Sequence, residues 1–344
     1  AQCLVGSEMC IRDRGNNTAP NKVFAAVRMV PTFYYGGYDN ADKRRDVSAV
    51  VTGLDGKGNE IVFTFKAGAK TDGGICLNKW DICRQNPYFV GGQGSAGFSA
   101  PIMRVADAIL MLAEVKAELG ANAEAINLVN QIRERAFGNT DHNIAGLSGD
   151  ALKDAVLMER KLELFGEGHT RYDMVRSAKF SEEALEVRNE MEALAIDLKT
   201  KGYYEFGNGN VLPAYIWTKQ VEGATLTYDC TDKTDPVQFP GWRGVLDFAK
   251  LGLTVNGTTH NTAIKGLFEY IDPNGTIAAQ LEQEGYVKTA WGSTLAENID
   301  IYLSNILPGI TSKESVPCYY WAIPYETISQ SKGKVTNGYG LPQQ

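Results

Sequence analysis

Between residues 102 and 201 the chain is a succession of amphipathic segments, most of them stopped by a glycine, and this block limits the possible folds more than anything else in it. Ile102, Ala106, Ile109 and Ala113 fall on one stripe of a helix, with Val105 and Leu112 beside it, and Gly120 closes the segment. Asn122 can cap a second helix whose apolar positions are Ile126, Val129 and Ile132, with Gly138 as its stop. Ser148 opens a third through Leu152, Val156 and Leu162 to Gly166, and Thr170 a fourth through Met174. A Glu/Ala/Leu-rich stretch from Ser181 to Lys201 reads as a fifth. Each such helix has one stripe to bury, and helical hairpins bury theirs by stacking. The expectation is a mostly α-helical fold of tetratricopeptide-like hairpins with irregular loops and short β hairpins, repeat-like although a strict period of roughly 34 residues is absent.

Outside this block the pattern is shorter and more polar. Runs rich in Val, Phe and Thr at Val23 to Val30, Asp46 to Thr52 and Glu60 to Lys66 read as strands, and Leu54-Asp-Gly-Lys-Gly-Asn59 as a hairpin connection. From Lys79 to Pro101 the chain is aromatic and glycine-rich without a period, a long loop of the kind that usually carries function. Beyond Gly202 the pattern is irregular, with short helices near Val245 to Leu251 and Ile277 to Glu284, and Cys318 to Pro324 reads as a strand running into a turn. The first fourteen residues have neither the apolar core of a signal peptide nor a capped helix, and they resemble translated adapter sequence. The expected organisation is therefore a non-native or disordered leader over 1–20, with the natural N-terminus and any lipid-anchor cysteine missing. A single domain over 21–344 follows, its helical scaffold at about 102–201 and a loop-rich face at 21–101 and 202–344.

Composition removes several function classes. With 44% hydrophobic and 22% charged residues the chain is ordinary for a globular protein. A formal net charge of −7 and the lack of any basic run argue against a nucleic-acid binder. No apolar run reaches the roughly 18 residues that a membrane helix requires. Six cysteines (Cys3, Cys10, Cys76, Cys83, Cys230 and Cys318) show neither a CxxC pair nor a His partner at zinc spacing. Cys76 and Cys83 are near enough in sequence to bridge in an oxidising compartment, but free buried thiols fit the spacing as well.

Several motifs invite chemistry. Glu159, Arg160, Glu163, Glu167, Arg171, Asp173 and Arg176 crowd the third and fourth helices, and Glu159 and Glu163 share a face. A glycosidase needs one carboxyl with a raised pKa, whereas surrounding arginines favour the ionised form, which suits a structural ion-pair lattice. A hydrolase using Glu159 or Glu163 is therefore the lesser alternative. His169 with Glu167 and Asp173 has no second histidine at ligand spacing, so no metal site is expected. Gly92-Gln-Gly-Ser-Ala-Gly97 matches the dinucleotide fingerprint in letters, but Pro101 follows it and no strand–helix unit frames it. Ser99 lacks a nucleophile elbow. No cofactor is expected. Asp229, Asp232 and Asp235 read as a solvated turn in preference to a calcium loop.

The helical segments also carry a family signature. Ile102-Met-Arg-Val-Ala-Asp-Ala-Ile-Leu-Met-Leu-Ala-Glu114 resembles the R-x-A-D-x-L-L-M-x-A-E helix of the SusD/RagB family, and Ala125 to Ala136 resembles its A-x-x-x-I-N-x-I-R-x-R-A helix. Met158 to Arg176 is similar to its E-R-x-x-E-L-x-x-E-G-x-R-x-x-D-L-x-R segment, and Trp321-Ala-Ile-Pro324 to its P-I-P turn. The usual Q-N-P-G-Y close is replaced by Thr336-Asn-Gly-Tyr-Gly340. The resemblance implies a lipid-anchored protein on the surface of a Gram-negative outer membrane. It would sit over a TonB-dependent, SusC-like transporter and capture oligosaccharides or polysaccharides, or peptides in some members, without being an enzyme. It also implies that helical hairpins form the scaffold and loops the ligand face.

Sugars present flat C–H faces to aromatic rings while Asn and Asp bond their hydroxyls. In the family, stacking aromatics often lie upstream of the R-x-A-D helix, which points to Phe33-Tyr-Tyr-Gly-Gly-Tyr38 with Asp39, Asn40 and Asp42 beside it. The expected ligand-binding residues are Tyr34, Tyr35, Tyr38, Asp39, Asn40 and Trp80. Tyr88-Phe89, Trp242 and Tyr319-Tyr-Trp321 are further clusters. The competing reading is that such rings pack the loop layer onto the scaffold.

Overall fold

The computed structural model describes residues 28–54, 59–65, 74–77, 79, 102–222, 260–304, 312–314, 325–332 and 334. The leader over 1–20, most of the Val23 to Val30 strand, Cys83, the loop over 80–101 with Trp80, Tyr88-Phe89 and the glycine fingerprint lie outside the described residues. So do Asp229, Asp232, Asp235, Trp242, the helix near Val245 to Leu251 and the Cys318 to Pro324 strand.

The described part opens with a π-helix over Thr32–Gly37. The helix α1 (Lys43–Ser48) follows, with β1 (Ala49–Val50), β2 (Thr52–Leu54), β3 (Glu60–Val62) and β4 (Cys76–Leu77) after it. β2 and β3 form the antiparallel hairpin expected on either side of the glycine-rich connection, with Leu54 opposite Glu60. β1 pairs with β4. The strand expected from Asp46 begins only at Ala49, because Asp42 accepts the Arg44 amide at 2.9 Å and caps a helical turn first.

Five helices follow in the expected order: α2 (Val105–Glu118), α3 (Asn122–Phe137), α4 (Gly149–Glu163), α5 (His169–Arg176) and α6 (Phe180–Thr200). α2 begins at Val105 instead of Ile102, and Asn122 is the first residue inside α3, with Ala121 at the cap position. Gly138 ends α3 with φ +78°, a conformation that side chains with a Cβ rarely adopt. α2 packs on both α3 and α4, and their buried faces mix small residues, Ala106, Ala113, Ala117 and Ala125, with Leu110, Val129, Ile132, Leu152 and Val156. Small side chains let these helix axes approach closely, which is how hairpins stack.

The region after Gly202, expected to be irregular, contains more sheet than its sequence suggests. β5 (Tyr203–Glu205) and β6 (Val211–Pro213) form a hairpin, and β7 (Tyr215–Glu222) is flanked on either side by β8 (His260–Lys265) and β9 (Val287–Ala290). α7 (Thr276–Gln283) matches the expected Ile277 to Glu284 helix, and α8 (Gly292–Glu297), α9 (Ile299–Ser304) and α10 (Tyr325–Gln330) complete the described elements. A large core joins α6 to the sheet region, with Met191, Leu194 and Leu198 against Phe206, Leu212, Ile216 and Trp291. The scaffold is thus mostly helical with short hairpins. No described helix is long and apolar enough to cross a membrane.

Candidate functional site

The charged motif residues converge where α1, α2, α3 and α4 meet. Glu159 and Glu163 lie one turn apart on α4, and both are almost wholly buried. Arg44 reaches Glu159 at 2.6 Å and Glu163 at 3.2 Å, while also holding Asp42. Arg133 of α3 donates to Glu159 at 2.9 Å, and Arg104 and Arg135 both approach Glu163 at 2.5 Å. Arg104 continues to Glu167 at 2.7 Å, where Lys79 also pairs. Burial alone would raise the Glu163 carboxyl, but hydrogen bonds and charge from Arg135 and Arg104 outweigh it and hold its pKa down at about 2. Glu167 is lowered in the same way, burial opposing and Arg104 and Lys79 prevailing. A general acid needs the opposite shift, so this is the ion-pair lattice and not a proton donor.

A second node lies deeper. Arg160 pairs with Asp107 at 2.8 Å and with Asp173 at 2.9 Å, linking α2, α4 and α5. Arg176 ties Asp173 to Glu114. His169 stands 4.0 Å from Asp107, so the trio His169, Glu167 and Asp173 is divided among three different partners. Among the described residues no group of three or more His, Cys, Asp or Glu side chains is arranged to hold a metal ion.

The aromatic cluster departs from expectation. Tyr34, Tyr35 and Tyr38 are 1%, 0% and 0% exposed. Tyr35 stacks on Phe206 with ring centroids 5.8 Å apart and planes at 9°, and its hydroxyl accepts the Trp291 indole N–H at 2.9 Å. Tyr34 meets Tyr35 edge-on and Phe268 at 5.5 Å, with the Arg45 guanidinium 5.7 Å from its centroid. Tyr38 donates to the Leu162 carbonyl at 3.0 Å and packs edge-on against Phe33. Burial pushes both the Tyr34 and Tyr35 hydroxyls well above the ordinary tyrosine range. Buried in this way, the rings pack the loop layer onto the scaffold, the competing reading of the cluster. Asn208 and Asn210 side chains each donate to the Tyr35 and Tyr38 carbonyls and fix the end of the π-helix.

Asp39 and Asn40, by contrast, are exposed. Asp39 Oδ1 accepts the Ala41 amide at 2.7 Å, and its other oxygen lies 3.7 Å from His142 Nδ1. Asn40 Oδ1 accepts from Arg45 at 2.6 Å. Half-open rings occur elsewhere, where Tyr203 and the 39%-exposed Tyr270 pack at 4.6 Å. Sequence reading passed over this pair because Tyr270 lies in an irregular segment far along the chain. Cys76 is a free, buried thiol whose pKa burial pushes up to about 12.

Stacked helical hairpins knitted by buried arginine–carboxylate pairs, with an aromatic-anchored loop layer packed on them, define a helical-hairpin scaffold protein. The sequence model of the SusD family matches residues 28–340, so the chain belongs to that family. It is 43% identical over 76 residues to SusD-like protein P25 of Formosa agariphila, covering 22% of this chain and 14% of that protein. It is 32% identical over 151 residues to SusD-like protein P2 of the same organism, covering 41% and 29%. The matched stretch is thus less than a third of either curated relative. Among solved structures, a SusD homolog from Bacteroides thetaiotaomicron overlaps 44% of this chain and 33% of its own at 24% identity and a TM-score of 0.36. A SusD superfamily protein from Bacteroides vulgatus overlaps the same shares at 21% identity and 0.31.

Proposed function

We propose that this protein captures oligosaccharides at the bacterial cell surface and delivers them to a SusC-like, TonB-dependent outer-membrane transporter, held at the outer membrane by a lipid anchor. The observation that carries this reading is the family match running through residues 28–340. Binding needs no reactive group, and the carboxylates best placed to supply one, Glu159 and Glu163, are committed to arginines. The protein is therefore proposed to bind without turning its ligand over. Its polar contacts are proposed at Asp39 and Asn40, with Trp80 as a stacking ring. Tyr34, Tyr35 and Tyr38 support this surface from below.

Affinity electrophoresis through a panel of polysaccharides tests the reading. Retardation by at least one glycan is expected, weakened by Asp39→Ala with Asn40→Ala and by Trp80→Ala, with no product released. Mobility unchanged by every glycan alongside saturable peptide binding would move the protein to the peptide-binding alternative. Glycan cleavage abolished by Glu163→Gln in a protein that stays folded would make it a hydrolase.

A further inference from the structure

Two Asn–Gly steps lie among the described residues, Asn208–Gly209 and Asn274–Gly275. Asparagine is a chemically labile residue, and most so before glycine, because no Cβ keeps the following backbone nitrogen from the side-chain carbon. That nitrogen gives up its proton to a base in water and bonds to the asparagine Cγ. The Cγ–Nδ2 bond then breaks, ammonia leaves carrying a proton, and a cyclic imide remains. Water opens the imide at either carbonyl, giving an aspartate or an isoaspartate whose main chain runs through the side-chain carboxyl. Water is the sole co-reactant, and nothing is oxidised or reduced.

The hydrogen bonding of the glycine amides does not separate the two steps. Each donates at 2.9 Å to a carbonyl three residues back, Gly209 to Phe206 and Gly275 to Asp272. The asparagine side chains do separate them. Asn208 Nδ2 donates to the Tyr35 carbonyl at 2.8 Å, the Tyr38 carbonyl at 3.0 Å and the Gly36 carbonyl at 3.3 Å, and its Oδ1 accepts the Asn210 amide at 3.1 Å. These bonds must break before its Cγ can move onto the Gly209 nitrogen. Asn274 is exposed, and its side chain makes no hydrogen bond to any described residue. Only its backbone amide is held, by Asp272 Oδ1 at 2.9 Å.

We infer that Asn274 is a site of spontaneous deamidation in the folded protein, and that Asn208, with the same glycine after it, is spared by its bonds to the Tyr35 and Tyr38 carbonyls. Conversion adds one negative charge to a chain whose formal net charge is −7. It falls in the turn that leads into α7, whose Ala278 and Leu281 pack with Trp217. An aspartate keeps the length of that turn, whereas isoaspartate adds a carbon to the main chain and displaces the Gly275 amide from Asp272. None of this depends on what the protein binds.

The test ages the folded 344-residue chain in mildly alkaline buffer, beside the same chain in urea, and follows amide-to-acid conversion by peptide mass spectrometry. Asn208, Asn274 and the further Asn–Gly steps at Asn256 and Asn337, which lie outside the described residues, fall in four different tryptic peptides and are read separately. In the folded chain conversion at Asn274 is expected to outrun that at Asn208 by on the order of a hundredfold, because Asn208 waits for a local opening. In urea the two rates are expected to converge. Equal rates in the folded chain would overturn the inference, as would an Asn274 that converts in urea but not in the folded protein. A ratio that persists in urea would place the difference in the neighbouring sequence and overturn it as well.

Discussion

Glu163 receives guanidinium groups from three directions, Arg44, Arg104 and Arg135, inside a space that excludes water from its carboxyl. Glu163→Gln keeps the volume and removes the charge, leaving those arginines partly unpaired; a loss of about 3 kcal/mol in urea unfolding is expected. The pH dependence follows from the lowered pKa. Glu163 contributes its full stabilisation above the ordinary value of 4.5, and this is lost as pH falls towards about 2. The gap between wild type and Glu163→Gln should therefore narrow from pH 4.5 downwards, and a constant gap would contradict the lattice. Tyr35→Phe removes the acceptor of the buried Trp291 indole N–H and should cost about 1–3 kcal/mol. An unchanged unfolding midpoint would show that water replaces the hydroxyl. That Glu159 and Glu163 are ion-paired was legible in the sequence from the arginines crowding their segment, but their partners Arg44, Arg104, Arg133 and Arg135 were not, because these come from other parts of the chain. The burial of Tyr35 was not, because the same residue type stacks on ligands and fills cores.

Helix ends show where local sequence governs an element and where packing takes over. Gly138 and Gly166 both have positive φ, +78° and +76°. A Cβ at Gly138 would meet only the mobile tip of Lys43, at 2.6 Å, whereas one at Gly166 would lie 2.5 Å from Leu77 Cδ1 in the core. Gly138→Ala should therefore cost about 1 kcal/mol, a backbone effect alone. Gly166→Ala should cost clearly more, and thermal melts of the two variants give the comparison; equal losses would mean that the Leu77 contact yields freely. The glycine stops, the Ser148 start and the order of helices were readable from spacing. The α1 turn was not, since Asp42 and the charged run behind it override the strand-like residues that follow.

Across the molecule, the alanine-lined core of α2, α3 and α4 and the larger core around Tyr35 and Trp291 are separate apolar clusters. Charged residues lie between them: Arg44 of α1 reaches Glu159 and Glu163 of α4, and Arg104, just before α2, reaches Glu163 near the end of α4, where Leu162 belongs to the larger core. Arg104→Ala should loosen that coupling, so that amides of α2 exchange at a lower free energy than those of α6. Native-state hydrogen exchange measures the difference, and a uniform loss across both helices would refute the two-core picture.

By itself, the sequence determined the helical block, its hairpin order and the β2–β3 hairpin, because a period near 3.6, a turn or a cap is written within a few residues. It showed the carboxylates of the lattice, but their partners Arg44, Arg104 and Arg133 are brought in from other elements by the tertiary structure. Only the tertiary structure decided that β7 finds β8 and β9 as partners, for those pairings close long loops and leave no local mark. It also decided that Tyr34, Tyr35 and Tyr38 face inward while Asp39 and Asn40 face water. Which side of a loop is buried depends on what folds over it, here Phe206, Phe268 and Trp291, all more than 160 residues further along the chain.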